Sequence, residues 1–358
     1  VLKKHVRSLD GETSAATYCA TVPRSEPNAN TEMNNSNDDE DREIIGPRAR
    51  LARAQADIGR CWAKYCVSLL DNSREKMMLD NVGLNFEKEK SDCDSMELRF
   101  SHLLPTSASE NDVISADYIT TFDEARKVFL KGQSSLQLAR NYYKIDEACT
   151  DYVEIIQDSS HLYKALAFFE PANDRKCKMH KRRITMLSEV VNELNPTYYL
   201  LLCRQILFQL GEASNELLDL KLDAVTETDP KAVPNQQQIV KINYIVQQAV
   251  GYFKQFLDSF KAKSGEMPKQ FDRDSTRPVV LAHFYMARLW SKCHTADINE
   301  KIRYINLSLS EYRWIVKYCA ENDPDAVPLV KSEHDLSCEM VTLLPMKIDR
   351  LRSLPTNL

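Results

Sequence analysis

Six positive charges fall within nine residues, at Arg175, Lys176, Lys178, Lys181, Arg182 and Arg183, the sharpest basic feature of the chain. Such a run can dock an acidic partner or act as a nuclear-localisation patch. At about 100° per residue the charges spread around most of a helix and do not form one stripe. Taken alone, the run therefore reads first as a solvated helix end that pairs with neighbouring acids. Cys177 with His180, and His334 with Cys338, have spacings that place two metal ligands on one helical face. Two ligands are half a zinc site and the missing pair is not apparent, so no metal is expected. The doublets Tyr142-Tyr143, Phe168-Phe169 and Tyr198-Tyr199 could stack on bases, but a single-strand binder also needs a basic groove. Their helical spacing favours core or groove-wall packing, and no nucleic-acid partner is expected.

Catalytic signatures are missing. There is no P-loop, GxGxxG, GxSxG or HExxH, and no pair among the many carboxylates is singled out. No catalytic residue and no cofactor are expected.

Composition explains what could position these residues. Only eight glycines occur in 358 residues, against about 7% in an average protein. Left-handed turns and phosphate cradles depend on glycine, so its scarcity points to helix after helix joined by polar turns. Hydrophobic residues are 43% and charged residues 28%, a balance that suits a solenoid's large surface. The formal charge of −5 is mild and gives no bulk attraction to nucleic acid or anionic membrane. Ten cysteines without a CxxC pair fit a reduced cytosolic protein, and no run reaches the roughly 20 apolar residues of a membrane span. Val1, not Met, stands first, and Val1 to Leu9 reads as the tail of a helix belonging to an N-terminal part upstream.

Along the chain, residues 10–46 carry an Asn-rich patch and the acidic run Asp38 to Asp41, and read as a disordered loop. Pro47 starts a long helix to about Asn72, with an apolar stripe of Leu51, Ala54, Ile58, Cys61, Trp62, Tyr65 and Leu69. Residues 73–120 read as a flexible connection, with a short helix near Ser95 to Leu104. From Thr121 the pattern predicts eight helices pairing as four antiparallel hairpins. A Thr121/Glu124 capping box opens the first, which carries Phe122, Ala125, Phe129, Gly132, Leu136, Ala139 and Tyr143. The next two run over about Asp151–Glu170 and Ala172–Glu193. Asn195-Pro196 is predicted to open the fourth, with Tyr198 to Cys203 packed on every side. The fifth carries Ile242 to Phe260, Pro278 opens the sixth, and Asp297 with Glu300 caps the seventh. The last begins near Pro328 and kinks at Pro345. Phe256→Ala is expected to cost about 3–5 kcal/mol if Phe256 is core. Ile58-Gly59-x-x-Trp62 and Ala287-x-x-Trp290 resemble the small-then-aromatic step of tetratricopeptide repeats, without a fixed 34-residue period.

With the helices placed, several blocks carry a resemblance. They are Cys61-Trp62-Ala63-Lys64-Tyr65-Cys66, Leu166-Ala167-Phe168-Phe169-Glu170, Cys177-Lys178-Met179-His180-Lys181-Arg182-Arg183 and Leu194-Asn195-Pro196-Thr197-Tyr198-Tyr199-Leu200-Leu201. Phe256-Leu257-Asp258-Ser259 and Glu339-Met340-Val341-Thr342-Leu343-Leu344-Pro345 follow in order. From about residue 47 onward the chain resembles the C-terminal part of the kinesin-family-binding proteins. The resemblance implies an all-α, divergent tetratricopeptide-like solenoid of helical hairpins. Residues 1–46 would end an N-terminal half, 47–72 would be the joining helix, and 121–358 the C-terminal domain. It also implies a non-enzymatic, cytoplasmic, cytoskeleton-associated protein that binds kinesin motor domains and keeps them off microtubules, with consequences for mitochondrial transport and neuronal outgrowth. A monomer without membrane insertion is expected. No motif fixes contact residues. The candidates are Arg53, Arg60 and Lys64 on the polar side of the joining helix, then the 175–183 cluster. Charge reversal at Arg60 and Lys64 together is expected to weaken binding without unfolding the chain. The alternative is a general helical-repeat scaffold that reads acidic peptides or chaperone tails.

Overall fold

The structure is a computed structural model that describes residues 46–81, 118–226, 234–322 and 330–353. The acidic loop, the predicted Ser95–Leu104 helix and the start near Pro328 lie outside the described residues. The described chain is helical throughout: α1 (Pro47–Asn81), α2 (Phe122–Tyr142), α3 (Cys149–Phe169), α4 (Asn173–Glu193), α5 (Leu200–Thr226), α6 (Gln236–Asp258), α7 (Arg273–Ser291), α8 (Ile298–Glu321) and α9 (Lys331–Arg352). An all-α chain is what so few glycines imply. The chain divides between Met179 and His180 into two compact units.

In the unit that ends at Met179, α1 and α2 pack most closely, with α3 against both. Their core holds Ala56, Ala63, Cys66, Leu70, Ala125, Val128, Leu136, Ala139, Ile155 and Leu162. Small residues set the approach. A Cβ on Gly59 would stand 2.6 Å from the Ser135 carbonyl oxygen, and one on Gly132 would stand 2.8 Å from a Leu162 methyl. The carbonyl is backbone and cannot rotate away, so Gly59→Ala forces α1 and α2 apart. We expect it to cost about 1–3 kcal/mol, read as a lowered denaturation midpoint. Gly251→Ala, with nothing within 4 Å of its new methyl, is the control and should be neutral or slightly stabilising.

The predicted α2 cap is present, with Thr121 Oγ1 accepting from the Glu124 N–H and the Glu124 carboxylate from the Thr121 N–H. Helix α1 runs beyond Asn72 to Asn81. Ser73 explains the extension: its buried hydroxyl donates to the Leu69 carbonyl and accepts from the Ile119 N–H, so the chain returns against this turn.

In the unit beginning at His180, α5 pairs with α6, α7 with α8, and α8 with α9. The α8/α9 pair is one of the four predicted hairpins, whereas α5 pairs with α6 and α7 with α8 across the predicted hairpin boundaries. Gly211 shows why for α5 and α6: a Cβ there would stand 2.5 Å from the Phe253 ring, so only glycine lets the ring lie over the α5 backbone. Phe208, Phe253, Phe256, Phe260, Phe271 and Tyr285 form a continuous aromatic core. The Arg204 guanidinium lies 3.6 Å from the Phe260 ring centroid and donates to Ser259, joining the start of α5 to the end of α6.

Two helix starts differ from expectation, and one cap is built differently. Asn195-Pro196 opens a turn, not a helix: Asn195 Oδ1 accepts from the Thr197 N–H and its carbonyl from the Tyr198 and Tyr199 N–H groups. α5 starts only at Leu200, and Tyr198 and Leu201 are exposed while Cys203 is buried. Helix α7 begins at Arg273, and Pro278 sits inside it, because the Asp272 carbonyl already accepts from the Ser275 and Thr276 N–H groups. Asp297 caps α8 by accepting from the Asn299 N–H, whereas Glu300 accepts the hydroxyls of Thr295 and Tyr304 instead. Pro345, the predicted kink position, lies inside helix α9.

Candidate partner-binding surface

Helix α1 has two flanks with opposite chemistry. The first carries Arg53, Asp57, Arg60, Lys64, Asp71 and Arg74. Arg60 does not face solvent: its guanidinium bridges Asp151 and Glu154 of α3, and its side chain is 15% exposed. Burial pulls the Arg60 pKa down, but Asp151 and Glu154 outweigh it and leave it raised. Asp57 accepts the Tyr143 hydroxyl and lies near Arg53, and burial followed by that bond raises the Tyr143 pKa. Asp158 of α3 faces Lys64, His161 and Arg60, and burial pushes its carboxyl up. Arg53 and Lys64 remain exposed. The flank is therefore mainly a polar seam between α1 and α3, with two cations at its outer edge.

Asp71 closes the seam. Burial works to raise its carboxyl, but His161 at 3.1 Å and the Arg74 guanidinium hold it below the ordinary value. A depressed carboxylate stabilises the fold above its unfolded pKa, and this is lost as pH falls through the folded pKa. Asp71→Asn is expected to lower stability by about 1 kcal/mol at pH 7. Thermal melts should show the gap closing once pH falls below the ordinary carboxylate range of about 4.

The second flank, predicted as the buried stripe, is open except at Leu69, which is buried. Leu51 is 60% exposed, Ile58 58%, Trp62 42% and Tyr65 40%, and Ala54 and Cys61 are also exposed. The buried face is instead Ala56, Gly59, Ala63, Cys66, Val67 and Leu70. Close packing on α2 selected small residues, and size made the large ones look like core in the sequence. In α7, by contrast, both parts of the small–aromatic step are core, since Ala287 and Trp290 are buried.

The 175–183 cluster is not one surface. Arg175 donates to the buried Glu170 carboxylate at 2.8 Å and lies over Phe122. Arg183 is buried, bonded to Glu216 of α5 and 2.9 Å from His180 Nδ1. Cys177 and His180 are buried. Lys178, Lys181 and Arg182 are exposed, and Lys176 is half-buried. Among the described residues no group of three His, Cys, Asp or Glu side chains is arranged to hold a metal. His334 Nε2 lies 3.6 Å from Cys338 Sγ, a pair within one helix. No described helix is long and apolar enough to cross a membrane.

Helical hairpins that leave aromatic and basic side chains exposed place this chain among the α-helical repeat-like folds. The chain belongs to the KIF-binding protein family: a family model described as "KIF-1 binding protein C terminal" matches residues 13–351. KIF-binding protein of Danio rerio is 39% identical over 322 residues, covering 86% of this chain and 50% of the relative. The Homo sapiens protein is 39% identical over 315 residues, covering 84% and 50%. The Drosophila melanogaster protein is 28% identical over 312 residues, covering 83% and 50%. A solved structure of "Kinesin binding protein (KBP)" is 34% identical, covers 82% of this chain and 50% of that one, and superposes with a TM-score of 0.49. The chain spans about half the length of the curated relatives it matches.

Proposed function

We propose that this chain binds kinesin motor domains and keeps them from associating with microtubules, acting by occlusion and not by catalysis. The observation that carries the reading is the relationship itself: relatives named KIF-binding protein align over 84–86% of the chain at 39% identity. In this reading the protein works as a cytoplasmic, cytoskeleton-associated monomer and influences organelle transport and neuronal microtubule function. The partner is met in this reading by the exposed cations Arg53 and Lys64 of α1 and Lys178, Lys181 and Arg182 of α4, with half-buried Lys176 beside them. Arg60, Arg175 and Arg183 serve the surface indirectly, through their bonds to Asp151 and Glu154, to Glu170 and to Glu216.

The test is calorimetric titration of purified kinesin motor domains into the chain. Lys178→Glu with Lys181→Glu should weaken binding about tenfold, because two charge contacts change sign at an interface. Both side chains are exposed, so the melting temperature should stay unchanged. Full affinity in the double variant removes α4 from the surface. Absence of heat with every motor tested removes the kinesin reading.

A further inference from the structure

The turn between α4 and α5 is held rigidly and carries a tyrosine that the core does not use. Its sequence is Asn195-Pro196-Thr197-Tyr198. Asn195 Oδ1 accepts from the Thr197 N–H at 2.9 Å, and the Asn195 carbonyl accepts from the Tyr198 and Tyr199 N–H groups at 3.1 and 3.0 Å. Pro196 presets φ at the second turn position, where no N–H is needed. Before the turn, Leu194 is buried and its N–H donates to the Val190 carbonyl of α4. After it, the Tyr199 carbonyl accepts from the N–H of buried Cys203 and leads into α5. This frame holds Tyr198 outward. At 79% it is the most exposed large apolar side chain among the described residues, whereas Tyr199 is half-buried.

Sequence and shape together select the partner. Domains of the phosphotyrosine-binding fold take Asn-Pro-x-Tyr segments in a hydrogen-bonded turn, and extended ligands also add a strand to the domain's sheet edge. A free peptide loses entropy when it is ordered into that turn. Here the Asn195 bonds and the Pro196 ring have ordered it in advance, so the ligand is preorganised. Helix α4 runs to Glu193, so the chain offers the turn and the ring without an added strand. Leu200 is 38% exposed and Leu201 50%, which surrounds the ring with apolar area. An aromatic side chain in such a setting is the usual anchor of an interface, and the unmodified phenol is the form its neighbours suit.

We propose that the α4–α5 turn, Asn195 to Tyr198 with Leu201 beside it, docks a domain of the phosphotyrosine-binding fold on a partner protein. Tyr198 is the anchor, and the Asn195 amide is the polar group that the domain bonds. This site is independent of the kinesin reading, because none of its residues is a cation assigned to motor binding.

The probe is a purified phosphotyrosine-binding domain of the class that takes unphosphorylated ligands, qualified first by its binding to a synthetic Asn-Pro-x-Tyr peptide of about 12 residues. Interferometry then measures its binding to the immobilised 358-residue chain. Saturable binding is expected, weakened about tenfold or more by Tyr198→Ala and, separately, by Asn195→Asp. Asn195→Asp keeps an oxygen that accepts from the Thr197 N–H and removes only the amide donor. The melting temperature should stay unchanged in Tyr198→Ala, whose ring lies outside the core. Tyr244→Ala, an equally open tyrosine at 65% exposure but within α6, should leave binding intact. Should Asn195→Asp lower the melting temperature, Tyr198→Ala decides alone. A domain that takes the peptide and ignores the chain overturns the proposal, as does binding indifferent to Tyr198→Ala. Binding that appears only after phosphorylation of Tyr198 also overturns it, because the turn is then a modification site.

Discussion

Phe253→Ala should destabilise the unit beginning at His180 by about 3–5 kcal/mol, a large part of the stability of an ordinary domain. Phe253 is fully buried, stacks on Tyr285 at 5.4 Å and meets Phe208 edge to face at 5.5 Å. Truncation removes the aromatic area and leaves a cavity bounded by Gly211, which has no side chain to fill it. Neighbouring rings cannot collapse inward easily, since each is held by another ring. Denaturant unfolding followed by circular dichroism measures the loss. Tyr244→Ala is the internal control: it lies on the same helix but is 65% exposed, and should change stability by less than about 0.5 kcal/mol. A Phe253 variant as stable as the parent would contradict the assigned aromatic core.

Arg60→Glu should be nearly as disruptive, at about 2–4 kcal/mol. The substitution removes the cation between Asp151 and Glu154 and puts a third carboxylate beside them. Because those two acids are 41% and 44% exposed, the cost falls below that of a fully buried pair. The result separates two roles for α1. The sequence made Arg60 and Lys64 look alike, as cations one turn apart on a polar face. The structure separates them, since Arg60 holds α3 and Lys64 stays exposed. Reversing both together would therefore weaken binding by loosening the unit, contrary to the expectation that the fold survives. Lys64→Glu alone is the cleaner probe of binding, with a melting temperature near that of the parent. Comparable destabilisation by Arg60→Glu and Lys64→Glu would contradict the seam.

The contrast between Arg60 and Lys64 shows what the residues could and could not announce. Helical content was legible because apolar spacing and caps are local: the Thr121/Glu124 box and the stripe from Ala125 to Tyr143 appear where the pattern put them. Helix pairing was legible only in part, as in α8 with α9, because the closest pairs depend on which backbones approach closely. Gly59 against Ser135 and Gly211 under Phe253 are contacts between residues far apart in sequence. The same cause inverted the α1 stripe. Size and hydrophobicity pointed to Leu51, Ile58 and Trp62 as core, yet tight packing on α2 buried Ala56, Gly59 and Ala63 instead. The basic cluster was visible as a charge run, but its division among Glu170, Glu216 and solvent was not, since both acids lie outside it. A small-residue stripe at helical spacing, running alongside a larger one, was the signal that could have exposed the inversion.

The measurement that bears most directly on the proposed function is microtubule co-sedimentation of kinesin motor domains with increasing amounts of this chain. Occlusion predicts that the motor leaves the pellet and co-elutes with the chain as a soluble complex, with a weaker effect from the Lys178→Glu, Lys181→Glu variant. Motor domains that stay in the pellet at saturating chain, across a panel of kinesins, would contradict it.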